Sequence, residues 1–270
     1  IIIPYHISAL NFFDGKILAF DKPYRATSFS EVGHLRWLLT KRMTGHKIRV
    51  GHAGTLDPLA TGTLIICTGR ATRIIESLQT HTKEYIAEVR LGETTASYDL
   101  EHPVDQTYPT EHITEAMVRE VLHSLEGDIM QIPPAYSACK INGDRAYQLA
   151  RNGEEVPMKA KSVRVEEIEL LEMRLPDYLK IRVVCGKGTY IRSIGRDIGE
   201  RLGSGAHLLS LRRTRVGDIR VEDCWKMEDF ERWLEGQTLE TEPPSGPIPS
   251  EFPFLTPANC LGEEPLTTLG

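Results

Sequence analysis

The chain has 270 residues, 40 % of them hydrophobic and 26 % charged, with a formal net charge of −6 and five cysteines. These proportions fit a globular chain with a sizeable core and exclude collagen-like, coiled-coil and disordered classes, and the length allows one large domain or two modest ones of about 150 residues. No run approaches the roughly 18 apolar residues of a membrane span, Ile1-Ile2-Ile3 lacks the flanks of a signal peptide, and we expect a soluble, cytoplasmic protein whose acidic total argues at first sight against a nucleic-acid partner.

In chain order, Lys16 to Phe20 is a short apolar run that Pro23 cuts off, which predicts a strand. Thr27-Ser28-Phe29-Ser30-Glu31 follows. Ser28 with Glu31 three residues on reads as a capping box, and Val32, Leu35, Leu38 and Leu39 recur at helical spacing. That helix should bury one face and show Arg36, Lys41 and Arg42 on or near the other. Gly51 to Gly62 breaks into a loop rich in Gly, Thr and Pro. Thr63 to Thr68 then reads as a buried strand, and Ala71 to Leu78 as a helix after a turn at Gly69.

Tyr85 to Leu91 alternates as a strand does. The stretch 99–130 predicts a helix capped by Thr114, with Met117, Val118, Val121, Leu122 and Leu125 on one face. Val163 to Leu171 and Leu179 to Cys185 predict two more strands. Gly186-Lys187-Gly188-Thr189-Tyr190 is a second Gly-rich turn, opening a helix through Leu202. Strands and helices alternate without a βαβ period or an internal repeat, so we expect an α+β domain with a mixed sheet. From Gly236 the chain is rich in Pro, Ser and Gly, which predicts a loosely packed tail or linker.

Charge is unevenly spread. Residues 1–98 carry 12 basic and 8 acidic side chains and residues 131–220 carry 17 and 11, whereas 99–130 carry 1 and 8 and 221–270 carry 2 and 11. The body is thus basic, most densely at Leu211-Arg212-Arg213-Thr214-Arg215, and a polyanion partner is readmitted. Charge alone weighs this equally with a merely solvated face. The cysteines (Cys67, Cys139, Cys185, Cys224, Cys260) are far apart with no Cys-x-x-Cys pair, so reduced thiols are expected rather than disulfides or a zinc knuckle. His34, His46 and His52 are not spaced as metal ligands, and no metal is expected.

The loop Gly51-His52-Ala53-Gly54-Thr55-Leu56-Asp57-Pro58-Leu59-Ala60-Thr61-Gly62 is the most informative segment. Asp57 is its only carboxylate, and the proline after it disfavours helical geometry there. By composition alone, a turn-forming aspartate that caps its own backbone is favoured over a chemical role. Neither phosphate-cradling pattern, Gly-x-x-x-x-Gly-Lys-Ser/Thr or Gly-x-Gly-x-x-Gly, is complete here or at Gly186.

This loop resembles the catalytic motif of the TruB family of tRNA pseudouridine synthases, and further motifs extend the resemblance over about residues 14–220. They are Gly15-Lys16-Ile17-Leu18-Ala19-Phe20-Asp21-Lys22-Pro23 with Thr27-Ser28, Lys83-Glu84-Tyr85, Pro133-Pro134-Ala135-Tyr136-Ser137-Ala138-Cys139-Lys140 with Gly143 and Arg145-Ala146-Tyr147, Gly188-Thr189-Tyr190-Ile191-Arg192-Ser193, and His207-Leu208 with Leu211-Arg212-Arg213-Thr214. The resemblance implies an α+β fold with a mixed, mainly antiparallel sheet flanked by helices around a central RNA-binding cleft. It implies an isomerase that flips the T-loop uridine of tRNA, position 55 in tRNA numbering, breaks its C1′–N1 bond and rejoins C5 to C1′, without cofactor or metal, as a monomer holding the T-arm.

The residue roles follow from the same resemblance. Asp57 matches the catalytic aspartate, and its carboxylate can meet the electron deficiency at C1′ by covalent attack or by electrostatic stabilisation. Arg192 matches an arginine that pairs with the aspartate and offsets the desolvation that would otherwise raise its pKa. Tyr85 matches a tyrosine on which the flipped base stacks. Core packing is the other reading of Tyr85, and a helix-surface cation that of Arg192. His52, Tyr190 and Leu211 match residues around the flipped nucleotide, and Lys22, Lys83, Arg145, Arg212 and Arg213 are the expected phosphate contacts.

We expect residues 1–235 to form the catalytic domain, with 99–160 as an RNA-clasping insertion, and 236–270 to be an acidic, Pro-rich tail without a complete RNA-binding module. Two other classes compete with this reading. An RNA-binding or tRNA-folding factor would use the same cleft, whereas a hydrolytic glycosidase would need a second carboxylate in the loop. If the basic stretches form the binding face, tRNA affinity falls steeply with added salt despite the acidic pI of about 5.9; a flat response in a filter-binding titration would show that they do not.

Overall fold

A computed structural model describes residues 9–141 and 143–262. The described residues up to His81 and from Arg215 onward form one unit, and Thr82–Thr214 forms the other.

The first unit opens with β1 (Ile17–Lys22), which is buried at five of its six positions. Helix α1 (Ser28–Arg42) follows and buries Val32, Leu35, Leu38 and Leu39, the face that the spacing predicts. Its cap sits one residue earlier than expected. Thr27 accepts from the Ser30 backbone and Ser30 reciprocates, so the box is Thr27–Ser30 rather than Ser28–Glu31. Ser28 and Glu31 point inward instead and are buried.

Strand β2 (Val50–His52) and the long β3 (Ala60–Thr68) form the next hairpin, Val50 opposite Thr68 and His52 opposite Ile66. β3 is buried at eight of nine positions, as a strand covered on both faces must be. It runs antiparallel to β1, from Ile17 opposite Cys67 to Lys22 opposite Gly62. At the end of β3 the predicted helix forms only in part, as a 3-10 stretch (Gly69–Ile74) and one α-helical turn, α2 (Ile75–Leu78). Gly69 takes φ +51°, where a Cβ would lie 2.1 Å from the Phe13 carbonyl oxygen. Only glycine fits there.

The second unit carries β4 (Lys83–Leu91), the ribbon β5 (Glu93–Thr95) and β6 (Val104–Thr107), α3 (Glu115–Ser124) and β7 (Gly127–Gln131). A short ribbon of β8 (Lys140–Ile141) and β9 (Asp144–Arg145) leads into α4 (Ala146–Arg151). The long β10 (Lys161–Arg174) and β11 (Tyr178–Cys185), helix α5 (Ile191–Arg201) and β12 (Ala206–Val216) complete it, and the chain leaves the unit within β12. Thr114 caps α3 as predicted, and Val118, Val121 and Leu122 are its buried face. Within this unit the strands run in the order β12-β4-β11-β10-β7, and the registers of β4, β11, β10 and β7 are antiparallel.

The alternation of β4 separates two kinds of chemistry. On one side Glu88 accepts from Ser210 on β12 and from the Tyr178 hydroxyl on β11, and these bonds hold its carboxyl below the usual range. Glu84 accepts from Thr214 at 2.8 Å and from Arg182 at 3.1 Å, and Arg182 reaches on to Glu167 and Glu169 of β10. On the other side Lys83, Tyr85, Ala87, Val89 and Leu91 are buried, with Lys83 opposite Cys185 and Tyr85 opposite Val183.

After β12 the chain returns to the first unit with β13 (Ile219–Arg220), a 3-10 turn (Val221–Asp223), α6 (Met227–Glu235), β14 (Phe254–Leu255) and α7 (Pro257–Leu261). Phe230 packs edge-on against Phe20 and Trp225, and Trp233 tilts against both Trp225 and Phe230, at centroid separations of 5.4 to 5.6 Å. The expected loose tail is tied down in its described part. Arg42 donates to the carbonyls of Leu234 and Gln237, Arg70 to those of Pro244 and Pro247, and β14 pairs parallel with β1 through Ile17–Phe254 and Leu18–Leu255. Arg70 uses carbonyls of the Pro-rich segment that secondary structure leaves free, and Arg42 uses those at the end of α6.

Burial pushes the Lys83 ammonium down to about 8, with help from the neighbouring Arg213 charge and against the pull of Cys185. A lysine whose folded value lies below its unfolded 10.5 leaves the unfolded chain holding more protons between the two, so this group adds stability as pH rises through that window. Denaturant melts from pH 8 to 10.5 should show wild type gaining on Lys83→Met; parallel curves would count against a depressed Lys83.

Candidate active site

The loop that carries Asp57 is fastened from the turn between β1 and α1. Ser28, 3 % exposed, donates its hydroxyl proton to the Leu56 carbonyl at 3.1 Å and accepts from the Leu56 backbone N–H at 2.9 Å. The Arg25 backbone N–H donates to the Pro58 carbonyl at 2.8 Å. Lys22 is fully buried, and its Nζ donates to the carbonyls of Pro23 at 3.0 Å, Ala26 at 2.5 Å and Pro58 at 3.4 Å. The residues on both sides of Asp57 are thus pinned. Within the loop the Ala60 N–H donates to the Asp57 carbonyl at 3.0 Å, Gly54 takes φ +108°, and Ala53, Leu56 and Ala60 are buried. Asp57 and His52 are left half-exposed.

Lys22 therefore departs from the phosphate contact expected of it. An ammonium with no exposed surface and three carbonyl acceptors is a structural anchor, and the turn after β1 is built around it. Glu31 lies close enough to feel the Lys22 charge, and burial pushes its carboxyl up against the opposing pull of His34 and Lys22.

In the second unit α5 begins where Tyr190 is clamped by Gln131. The Tyr190 N–H donates to Gln131 Oε1 at 2.8 Å and Gln131 Nε2 donates to the Tyr190 carbonyl at 3.1 Å, so the side-chain amide takes the place of a backbone pair. Ser193 adds a bond to the Ile132 carbonyl at 2.8 Å, and Thr189 closes the Gly-rich turn onto the Gly186 carbonyl at 3.0 Å. Arg192 is 3 % exposed, so the helix-surface reading fails. Its guanidinium donates to the Ser97 carbonyl at 3.0 Å and the Tyr136 carbonyl at 2.9 Å. The Ser97 loop is itself organised by Asp99, which accepts from the Ser97 hydroxyl at 2.6 Å and the Glu101 N–H at 3.0 Å. Tyr136 packs on the His102 ring at a centroid distance of 4.3 Å.

Tyr85 is 8 % exposed on the core side of β4. Lys83 and Arg213, at 6 % and 1 %, share this interior, the setting of buried cations rather than of surface phosphate contacts. Arg145 is exposed at the start of α4, whereas Arg212, Leu211 and Tyr190 are partly buried. Sequence reasoning missed Ser28, Gln131 and the carbonyl partners of Arg192, whose contacts span 28, 59 and 56 to 95 positions. Among the described residues no group of three or more His, Cys, Asp or Glu could hold a metal ion, and no helix is long and apolar enough to cross a membrane.

Removing the Ser28 hydroxyl would leave a buried N–H and a buried carbonyl of Leu56 without it. We expect Ser28→Ala to cost about 1–3 kcal/mol of stability and to lower turnover at 25 °C in protein that is still folded. Melts and turnover equal to wild type would show that the loop is held without Ser28.

The comparisons with known proteins agree with one another. Residues 41–191 match the family model for the TruB family pseudouridylate synthase N-terminal domain, and residues 192–245 that for the tRNA pseudouridylate synthase B C-terminal domain. A tRNA pseudouridine synthase B of Phocaeicola vulgatus is 59 % identical over 231 residues, covering 86 % of this chain and 98 % of that protein. That of Bacteroides thetaiotaomicron is 58 % identical over 236 residues, with the same coverage. Among solved structures, a Cbf5-Nop10-Gar1 complex matches at TM-score 0.61 and 30 % identity over 83 % of this chain and 55 % of that one, so the chain spans just over half of that relative. An H/ACA RNP bound to a substrate RNA containing 2′-deoxyuridine matches at 0.58 and 28 % identity, over 83 % and 54 %. The fold, an α+β arrangement with a mixed and mainly antiparallel sheet, is that of pseudouridine synthases, and the chain belongs to the TruB family of pseudouridylate synthases.

Proposed function

We propose that this tRNA pseudouridine synthase acts on the T-loop uridine at position 55 and that Asp57 is its catalytic carboxylate. The observation that carries the reading is the fastening of the Asp57 loop: both neighbours of the only carboxylate in the segment are fixed by hydrogen bonds, those of Leu56 buried, while Asp57 itself is left half-exposed. Positioning of this kind is what a reaction at one sugar carbon needs, since a misplacement of about 1 Å costs on the order of a hundredfold in rate.

A uridine in a folded loop must leave its stack before a carboxylate can reach C1′. In this reading Tyr85 offers the stacking face, and Tyr190, Leu211 and His52 surround the extruded nucleotide. As the C1′–N1 bond breaks, Asp57 compensates the electron deficiency at C1′. The uracil turns in place and C5 bonds to C1′; the C5 proton then leaves to solvent and N1, freed from the sugar, takes up a proton, so the formula is unchanged and no redox step intervenes. In this reading Arg192, oriented by two backbone carbonyls, is the arginine that answers the charge of the carboxylate. Arg145 and Arg212 meet the phosphates, and Lys22, Lys83 and Arg213 support the site from the interior. The 99–160 region, with α3 and the β8-β9 ribbon, holds the T-arm, and the enzyme works as a monomer in the cytoplasm.

Tritium release from T-arm RNA labelled at uridine C5 tests this. Wild type should release label, and Asp57→Asn should be slower by on the order of 10⁴-fold while retaining its RNA affinity. Undiminished release by the mutant would remove Asp57 from the chemistry, and binding without release by wild type would favour an RNA-folding factor.

A further inference from the structure

Helix α1 has a side that the core does not use. On it Trp37 is 55 % exposed, with the Lys41 ammonium 5.1 Å from its ring centroid and the His34 ring at 6.1 Å. The other tryptophans, Trp225 and Trp233, sit in the aromatic cluster around Phe230. Trp37 borders a groove of about 880 Å³ between α1, the turn that follows it and the segment into β2. Buried Ile48 and Val50 form its floor, and Arg36, Lys41, Lys47 and Arg49 line it with no acidic side chain among them. Arg36 ties the helix to the floor by donating to the Val50 carbonyl at 2.9 Å. Lys41, Lys47 and Arg49 are exposed and make no ion pair with the described residues.

We propose that this groove is a second RNA-binding surface, one that takes an unpaired stretch of tRNA other than the loop that is modified. One base stacks on Trp37 and the flanking phosphates lie on Lys41, Lys47 and Arg49. An exposed indole bracketed by cations is the pairing that single-stranded nucleic acid requires, because every base has a π-face and every linkage a negative charge. Protein interfaces are depleted in lysine, and an acidic peptide would have no use for the ring. Trp37 lies nine residues along α1 from Ser28, roughly 13 Å of helix axis, and of the Asp57 loop the groove touches only Gly51, at its start. The inference rests on the chain acting on RNA and not on the role of Asp57.

Binding of full-length tRNA and of an isolated T-arm hairpin to the full chain, at low salt, decides the matter. Trp37→Ala and the triple change Lys41→Gln, Lys47→Gln, Arg49→Gln should each weaken tRNA binding about tenfold, with hairpin turnover at the wild-type level. Wild-type tryptophan emission should be quenched by tRNA and lose most of that quenching in Trp37→Phe. Unchanged tRNA affinity in both variants, or equal losses on hairpin and tRNA, would overturn the proposal, as would self-association in sedimentation that these variants abolish. Quenching and affinity are read without turnover, so a failure of the position-55 assignment is scored separately, by wild-type turnover on the hairpin.

Discussion

One serine hydroxyl holds both the N–H and the carbonyl of Leu56, and the geometry of the Asp57 loop depends on it. A hydroxyl can donate once while accepting, and Ser28 uses both capacities on a single residue of a loop in which φ-permissive glycines would otherwise allow many conformations. Each bond adds only about 1 kcal/mol, but losing both would strand two backbone groups away from water, which costs more than the bonds are worth. Because Lys22 ends β1, Ser28 opens α1 and Arg25 lies between them, this junction acts as a template on which the loop is laid. The template is fixed in turn by the pairing of β1 with β3 and by the Thr27–Ser30 cap.

Buried positive charge is the second theme. A cation is costly in an interior unless its protons are bonded. Lys22 and Arg192 meet that demand largely with backbone carbonyls, and in doing so each joins segments distant in sequence: β1 to the Asp57 loop, and α5 to the Ser97 and Tyr136 loops. The positive charge sits where folding needs it, which is why a count of basic residues along the chain is a poor guide to which of them meet solvent.

Much of the fold was legible in the sequence. The alternation in β4 and the helical spacing in α1 and α3 are local signals, and they give these elements to within a few residues. The errors have physical reasons. Thr-Ser-Phe-Ser-Glu offers two capping boxes one residue apart, and the choice is made by the tertiary demand for Ser28 at Leu56, which no local pattern records. The basic run at 211–215 lies on β12, whose alternation is hidden because an arginine, Arg213, occupies a buried position. The site motifs were legible through resemblance, but the partners that orient Tyr190 and Arg192 lie more than 50 positions away, beyond any pattern of spacing.

The arginine that reaches the Pro-rich segment has a consequence for how the molecule is made. Arg70 bonds to Pro247, 177 positions away, and β1 acquires its β14 neighbour only after the whole of Thr82–Thr214 has been synthesised. The second unit is contiguous and the first is split. On a ribosome adding about 5–20 residues per second, the strand and helix that template the Asp57 loop emerge first, yet they wait roughly 10–40 seconds for their last neighbour, long after local structure can form. The early half must stay soluble with one edge of β1 uncovered throughout that interval, so chain order itself sets a kinetic window in which this protein is open to misassembly.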